Sequence, residues 1–178
     1  MLYHVDQHDN LIGKISRTEA HQDPSLIHRE VAVILVDDQG RVLLAQRSFQ
    51  KKVLPGKWDV TCAGHVTYGM TTEEAAHMEL QEELGFDVPL TYLGTQLALY
   101  DWESHLTHLY AGVYSGQELE LQETEVEQAA LLTAKQVEAL GDQVNLEFQG
   151  LIQSALSNDF ALGAELWSAQ QDLRSQKP

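Results

Sequence analysis

Glu79, Glu82 and Glu83 are spaced i, i+3 and i+4, which puts three carboxylates on one face of a helix. Like charges so placed repel and destabilise an isolated helix, so the spacing calls for compensation. Oxygen donors in such a row suit a divalent cation; the competing reading is a solvated acidic face. The segment carries its own punctuation. Thr71 with Glu74 three residues later has the spacing of a capping box, and Gly85 stands where a helix C-cap is expected. Ala75, Ala76, Met78 and Leu80 supply apolar positions, and no Gly or Pro interrupts them. The pattern predicts a helix over 71–84 behind a Gly-rich loop that opens at Gly64.

Composition bounds what this helix can serve. The chain has 178 residues, 43% apolar and 21% charged, which is enough for one domain with a sizeable core. Its 11 basic and 27 acidic residues give a net charge of −16, which argues against nucleic acid or an anionic membrane as partner. A small anionic substrate stays open where cations screen the site. The sole cysteine, Cys62, allows no intrachain disulfide. Residues 1–14 lack a basic start followed by an apolar run, and no apolar run approaches membrane-span length, so a cytoplasmic protein is expected.

The elements that must position the carboxylates follow from the rest of the chain. Two short apolar runs around Asp6–Asn10 predict a hairpin, and residues 17–27 a short helical turn. His28–Val36 and Arg41–Gln46 read as strands about the turn Asp37–Gly40. Trp58–Ala63 reads as a short strand running into Gly64. An apolar stretch at Leu90–Trp102, broken at Gly94, precedes a strand at Thr107–Tyr114. Glu103, Ser104 and His105 lie between them, and His105 and His108 are expected to face solvent from loops. Leu119–Val126 reads as acidic loop with a strand edge. Thr133 is an N-cap for a helix to Leu140, and 145–156 and 160–173 read as helical. Strands flanked by helices predict one α/β or α+β domain over 1–178, with a mixed sheet between helices. Its N-terminal hairpin occupies about 1–27, and a helical extension about 133–178. The hairpin and the C-terminal helices are the surfaces that could support a homodimer.

The central stretch resembles the Nudix box. Gly64 matches its first position, and Glu79-Leu80, Glu82-Glu83, Gly85 and Phe86 match its C-terminal half in register. The resemblance implies a Nudix-like α/β/α sandwich in which Glu79, Glu82 and Glu83 hold Mg2+ or Mn2+ against a diphosphate. Two positions depart: Met70 and Met78 replace a Glu and an Arg that commonly brace loop against helix in the family. Loss of both partners together reads as a substituted brace, because an apolar pair can replace an ion pair at little cost.

Leu54-Pro55-Gly56-Lys57-Trp58-Asp59-Val60 and Ala63-Gly64-His65-Val66 look like a Nudix subgroup similar to type I isopentenyl-diphosphate isomerase. That enzyme's metal-binding histidines match His21, His28 and His65, an alternative metal set; its glutamates fall near Leu106 and His108. Its catalytic cysteine position holds Ala63, and Cys62, one residue earlier in a strand, points to the opposite face. The acid–base pair that an allylic isomerisation needs is therefore missing. Cys62 reads as a small buried hydrophobe.

The expected function is hydrolysis of a diphosphate linkage in a nucleoside diphosphate or related small molecule. The alternatives are an isomerase-like enzyme and a nucleotide-binding protein without turnover. Glu79, Glu82 and Glu83 are the expected metal ligands, with the Gly64 carbonyl as an extra one. Glu125 is the best candidate for general base, since it matches an acidic residue before Val in related sequences. Arg47 suits a phosphate, and Lys51, Lys52 and Lys57 could add local positive charge. Trp58, Tyr68, Tyr100 and Trp102 are the aromatic residues that could stack on a base.

Overall fold

The computed structural model describes residues 1–157, so the helix expected over 160–173 lies outside the described residues. The chain is organised on one long strand. β3 (Ile27–Val36) pairs antiparallel with β1 (Leu2–Val5), β4 (Val42–Arg47) and β6 (Cys62–His65), and parallel with β8 (Ser104–Val113). β2 (Leu11–Ile15) completes the N-terminal hairpin with β1. β4 also pairs with β5 (Trp58–Asp59) and β9 (Val126–Leu132), and β7 (Leu90–Leu99) pairs with β8. The result is one mixed sheet of nine strands.

Alternation along β3 divides the interior. Val31, Val33 and Leu35 face α2 (Thr72–Leu84), whose Ala75, Ala76, Leu80 and Leu84 are fully buried against them. Ala32 and Ile34 face α4 (Gln149–Leu156), through Leu151, Ile152 and Ala155. A sheet thus lies between two helical layers. Buried Thr61 ties β3 to β4: its hydroxyl donates to the Leu43 carbonyl at 2.6 Å and accepts from Leu35 N at 2.8 Å. Two short helices complete the set, α1 (Arg17–Ala20) and α3 (Ala134–Leu140), the latter capped by Thr133 as its sequence predicts.

The expected hairpin, helical turn, β3, β4 and α2 are all present. α2 carries the capping box of Thr71 and Glu74, and Gly85 closes it with a left-handed φ of 80° that favours glycine. Several expectations need correction. The stretch 58–63 is not one strand: β5 ends at Asp59, and β6 begins at Cys62 and carries Gly64 and His65. Gly94 does not end a strand; β7 passes it with an irregularity in register between Tyr92 and Gly94. β8 starts at Ser104, so His105 and His108 are strand residues with 3% and 7% exposure, not solvent-facing loop residues. The strand edge expected within Leu119–Val126 lies later, as β9 from Val126 to Leu132. Residues 145–156 form a 3-10 turn (Leu146–Phe148) followed by α4 rather than one helix.

Candidate active site

One face of the β3–β6 pair looks at α2. Gly64 sits opposite Val31 in that register, and a Cβ there would overlap the Glu79 carboxylate. The glycine is therefore what lets the helix bring Glu79 onto the strand. Burial first, then the charges of Glu82 and Glu125, push the Glu79 carboxyl up to about 7. Burial and the charge of Glu79 push Glu83 up to about 8. Both carboxyls thus hold protons at pH values where an ordinary glutamate has none, which is the signature of negative charge waiting for a counter-charge.

Lys51 is the cation at hand. It pairs with Glu125, whose backbone carbonyl accepts from Ser48 N at 2.9 Å, and its charge partly offsets the shifts of Glu79 and Glu83. The structure therefore brings Glu79, Glu83, Glu125 and Lys51 into one electrostatic unit, with Glu82 more exposed at its rim. Glu79, Glu82 and Glu83 do not stand among the groups whose ligand atoms all lie within 4.8 Å of one another. The oxygen donors and their raised pKa values fit a hard divalent cation.

Arg47 and Lys57 are committed to protein groups. Arg47 Nε donates to the Val53 carbonyl at 3.2 Å, and Nη1 lies 3.5 Å from buried Asp59. Lys57 Nζ donates to the Asp142 carbonyl. A phosphate at either side chain would have to displace these contacts. Trp58 is buried in the second core layer, which removes it as a stacking surface, whereas Tyr68 and Trp102 are exposed. Trp102 stacks on Tyr100 with centroids 4.8 Å apart. Met70 packs against the first core layer.

The other face of the same strands carries a histidine centre. His28 and Glu30 project from β3, His65 lies opposite Glu30 on β6, and His105 lies beside His28 on β8. His21, at the C-cap of α1, closes the group. His21 Nε2 lies 3.0 Å from His65 Nε2, and the ligand atoms of His21, His28 and His65 all fall within 4.8 Å of one another. Burial first lowers His65, to about 3, so its imidazole is neutral and free to ligate. The nitrogen donors of this set fit a borderline transition ion. The three histidines that the sequence singled out are thus brought together.

Their carboxylates are not where the sequence reading put them. Leu106 is a core residue, and His108 faces the opposite way, 3.3 Å from Asp9. The acids around the histidines are Glu30, Glu103, at 3.5 Å from His21 Nε2, and Glu147, at 2.6 Å from His105 Nε2. Sequence reasoning missed Glu30, His105 and Glu147. The available signal for Glu30 was its i+2 spacing from His28 in a strand, which fixes a shared face. Cys62 is buried on the α2 face, and burial pushes its thiol well up; Ala63 takes the histidine face.

Residues 26–149 match the NUDIX domain, and the chain belongs to the Nudix family. Among its relatives, the isopentenyl-diphosphate Delta-isomerase of Serratia proteamaculans is 39% identical over 122 residues, which cover 66% of this chain and 68% of that protein. Isopentenyl-diphosphate Delta-isomerase 2 of Photorhabdus laumondii is 41% identical over 86 residues, 48% of each chain. Against that protein the match spans about half its length. Among solved structures, DR0079 from Deinococcus radiodurans superposes with a TM-score of 0.73 at 23% identity, covering 86% of this chain and 98% of that one. At that identity the likeness shows the fold alone. No helix of the described residues is long and apolar enough to cross a membrane.

Proposed function

We propose that this Nudix-type enzyme hydrolyses a diphosphate linkage in a nucleoside diphosphate or a related small molecule, with a divalent cation, Mg2+ or Mn2+, held by Glu79, Glu82 and Glu83. The observation that carries the reading is the pair of raised, half-buried carboxyls at Glu79 and Glu83 beside Gly64. A bound cation there would screen the phosphate charge and acidify a water. The protein's part is to hold and move charge. Glu79 and Glu83 give up their protons as the site loads, Gly64 keeps the strand open to the helix and offers its carbonyl, and Glu125 accepts the proton of the attacking water. The water oxygen bonds to one phosphorus, the bridging P–O bond breaks, and the departing phosphate oxygen carries the electron pair away. Lys51 balances Glu125 before the proton arrives, and Arg47 and Lys57 meet substrate phosphate if they exchange their present partners for it.

The second reading is an isomerase of isopentenyl diphosphate. The assembled His21, His28 and His65 and the isomerase relatives favour it. Ala63 on the histidine face disfavours it, because it offers no proton. Replacing Glu82 and Glu83 by Gln tests the hydrolase reading. Turnover of a diphosphate panel with Mg2+ or Mn2+ should vanish while the fold stays intact. Unchanged turnover would overturn the reading, and tight nucleotide binding without any turnover in the wild type would replace it with a binding role.

A further inference from the structure

The start of α2 borders a cavity of about 450 Å3, a size that suits a small molecule. Tyr92 of β7, His108 and Tyr110 of β8, Leu90, Thr72 and Glu73 are among its walls. Thr72 and Glu83 stand near opposite ends of α2, about 16 Å apart along the axis at about 1.5 Å per residue. Tyr92 and Tyr110 pair across β7 and β8, and their rings meet at 5.3 Å with a tilt of 58°. The His108 ring lies 5.9 Å from that of Tyr92 at 33°. The three rings form an aromatic corner rather than a stack. The Tyr110 hydroxyl lies 2.8 Å from Thr72 Oγ1, which ties that ring to the helix start. Tyr92 is 51% exposed, so its ring is open to a ligand.

The charge of the walls decides what this corner can take. Glu73 lines it, and no lysine or arginine does. Burial first holds His108 below its ordinary value, so its imidazole is neutral near pH 7. Behind His108, Asp9 is already paired with Arg29 at 2.6 Å. The Glu73 carboxylate is felt at the ring beside it: burial first, opposed by Thr72 and aided by Glu73, raises the Tyr110 hydroxyl. A helix start attracts anions, but this one is answered by its own acids, Glu73 in the first turn and Glu74 on Thr71 N at 2.8 Å. Two tyrosines beyond the cavity show what such rings hold in this chain. Arg29 lies 4.6 Å from the ring centre of Tyr3, and Lys14 lies 5.8 Å from that of Tyr68.

We propose that this cavity binds a small organic ammonium ion, with the Tyr92 and Tyr110 rings against its alkyl groups and Glu73 balancing its charge. A cation is attracted to the face of a tyrosine ring, and more strongly where both are desolvated. Leu90 and the neutral His108 ring add surface without repelling it. A phosphate or carboxylate would meet Glu73 with no basic side chain to offset it. The site uses no metal, goes beyond the hydrolase reading and does not depend on which bond is cleaved.

The test is choline binding by the full chain with a chelator present, which takes metal ions out of the measurement. Calorimetry gives the affinity, and an upfield shift of the choline methyl protons reports contact with ring faces. Choline should bind roughly tenfold or more tightly than the uncharged alcohol in which carbon replaces its nitrogen, and inorganic phosphate should not compete. Tyr92→Leu should weaken choline by roughly tenfold, Tyr92→Phe, which keeps the ring, by no more than about twofold, and Glu73→Gln by about threefold or more. Circular dichroism checks the fold; if Tyr92→Leu does not fold, the exposed Glu73→Gln and the uncharged alcohol carry the test. Absence of binding at millimolar choline would overturn the proposal. So would equal affinity for the uncharged alcohol, or unchanged affinity in Tyr92→Leu. The readout is affinity without metal, so a wild-type protein without hydrolase activity would fail the functional reading and leave this one standing.

Discussion

The two faces of the β3–β6 pair carry two different kinds of site. On the α2 face, the carboxylates come from one helix of thirteen residues, and their charge is unbalanced enough to raise Glu79 and Glu83. On the other face, the histidine centre draws on α1, β3, β6, β8 and the turn before α4, and it mixes both signs of charge. Burial pushes Glu30 up, but the charge of His105 beside it outweighs that and holds Glu30 low. Burial pushes His105 down, yet Glu30 and Glu147 hold it up to about 9. One site has only Lys51, itself paired with Glu125, as counter-charge, and the other has largely supplied its own. The first is therefore the stronger magnet for a hard cation, and the second a scaffold of preset donors.

The sharpest way to break this contrast is to remove carboxylates from the helix. Glu83→Gln should lower metal-dependent turnover by roughly a hundredfold or more, since a cation's stabilisation of the transition state is worth several kcal/mol. Measured rates with saturating Mg2+ that stay near wild type would erase the distinction.

A second approach uses pH. Glu79 and Glu83 have folded pKa values raised to about 7 and about 8 from the ordinary 4.5. Between those values these two groups hold more protons in the folded chain than in the unfolded one, so their contribution to stability falls as pH rises through the window. Relative to Glu83→Gln, the melting temperature of metal-free wild type should drop from about pH 4.5 to about pH 8, and Mg2+ should recover part of the drop at the upper end. Glu83→Gln should fall less steeply; the same slope as wild type would contradict the charge imbalance. Metal affinity should rise over the same window, because the ligands must shed protons to bind.

A smaller effect concerns the brace. Met70→Glu and Met78→Arg introduced together should leave stability and metal affinity within about 1 kcal/mol of wild type or above it, whereas each alone should lose more, because a single charge is left unpaired. If the double variant loses both stability and metal affinity, the idea of a substituted brace fails. The smallest change is at the helix start: Thr71→Ala should cost about 1 kcal/mol in denaturant unfolding by removing the cap, and it should leave metal binding by the histidines on the opposite face unaltered.

The same contrast explains what the sequence revealed. The α2 site was readable because caps, spacing and the closing glycine all lie within one segment and obey local rules. The histidine trio was reachable through resemblance, but its surroundings were not. His105 and Glu147 meet only through the pairing of β8 with β3 and the return of the chain before α4, 42 residues apart in sequence. Ser104-His105 looked like loop because its side chains are polar, yet parallel pairing to Ile27 and His28 makes it strand. Most of β9 escaped for a related reason. Val126-Glu127-Gln128-Ala129-Ala130-Leu131-Leu132 has little β-branched content, and its strand form comes from pairing with β4.

The most direct measurement is a paired assay. Purified protein is incubated with Mg2+ or Mn2+ and a panel of nucleoside diphosphates and related diphosphates, and separately with isopentenyl diphosphate, with phosphate release and allylic isomer both followed by NMR. The account predicts metal-dependent phosphate-containing products from at least one diphosphate, abolished by Glu82→Gln with Glu83→Gln, and no allylic isomer. Conversion of isopentenyl diphosphate to its isomer, with no hydrolysis across the panel, would contradict it.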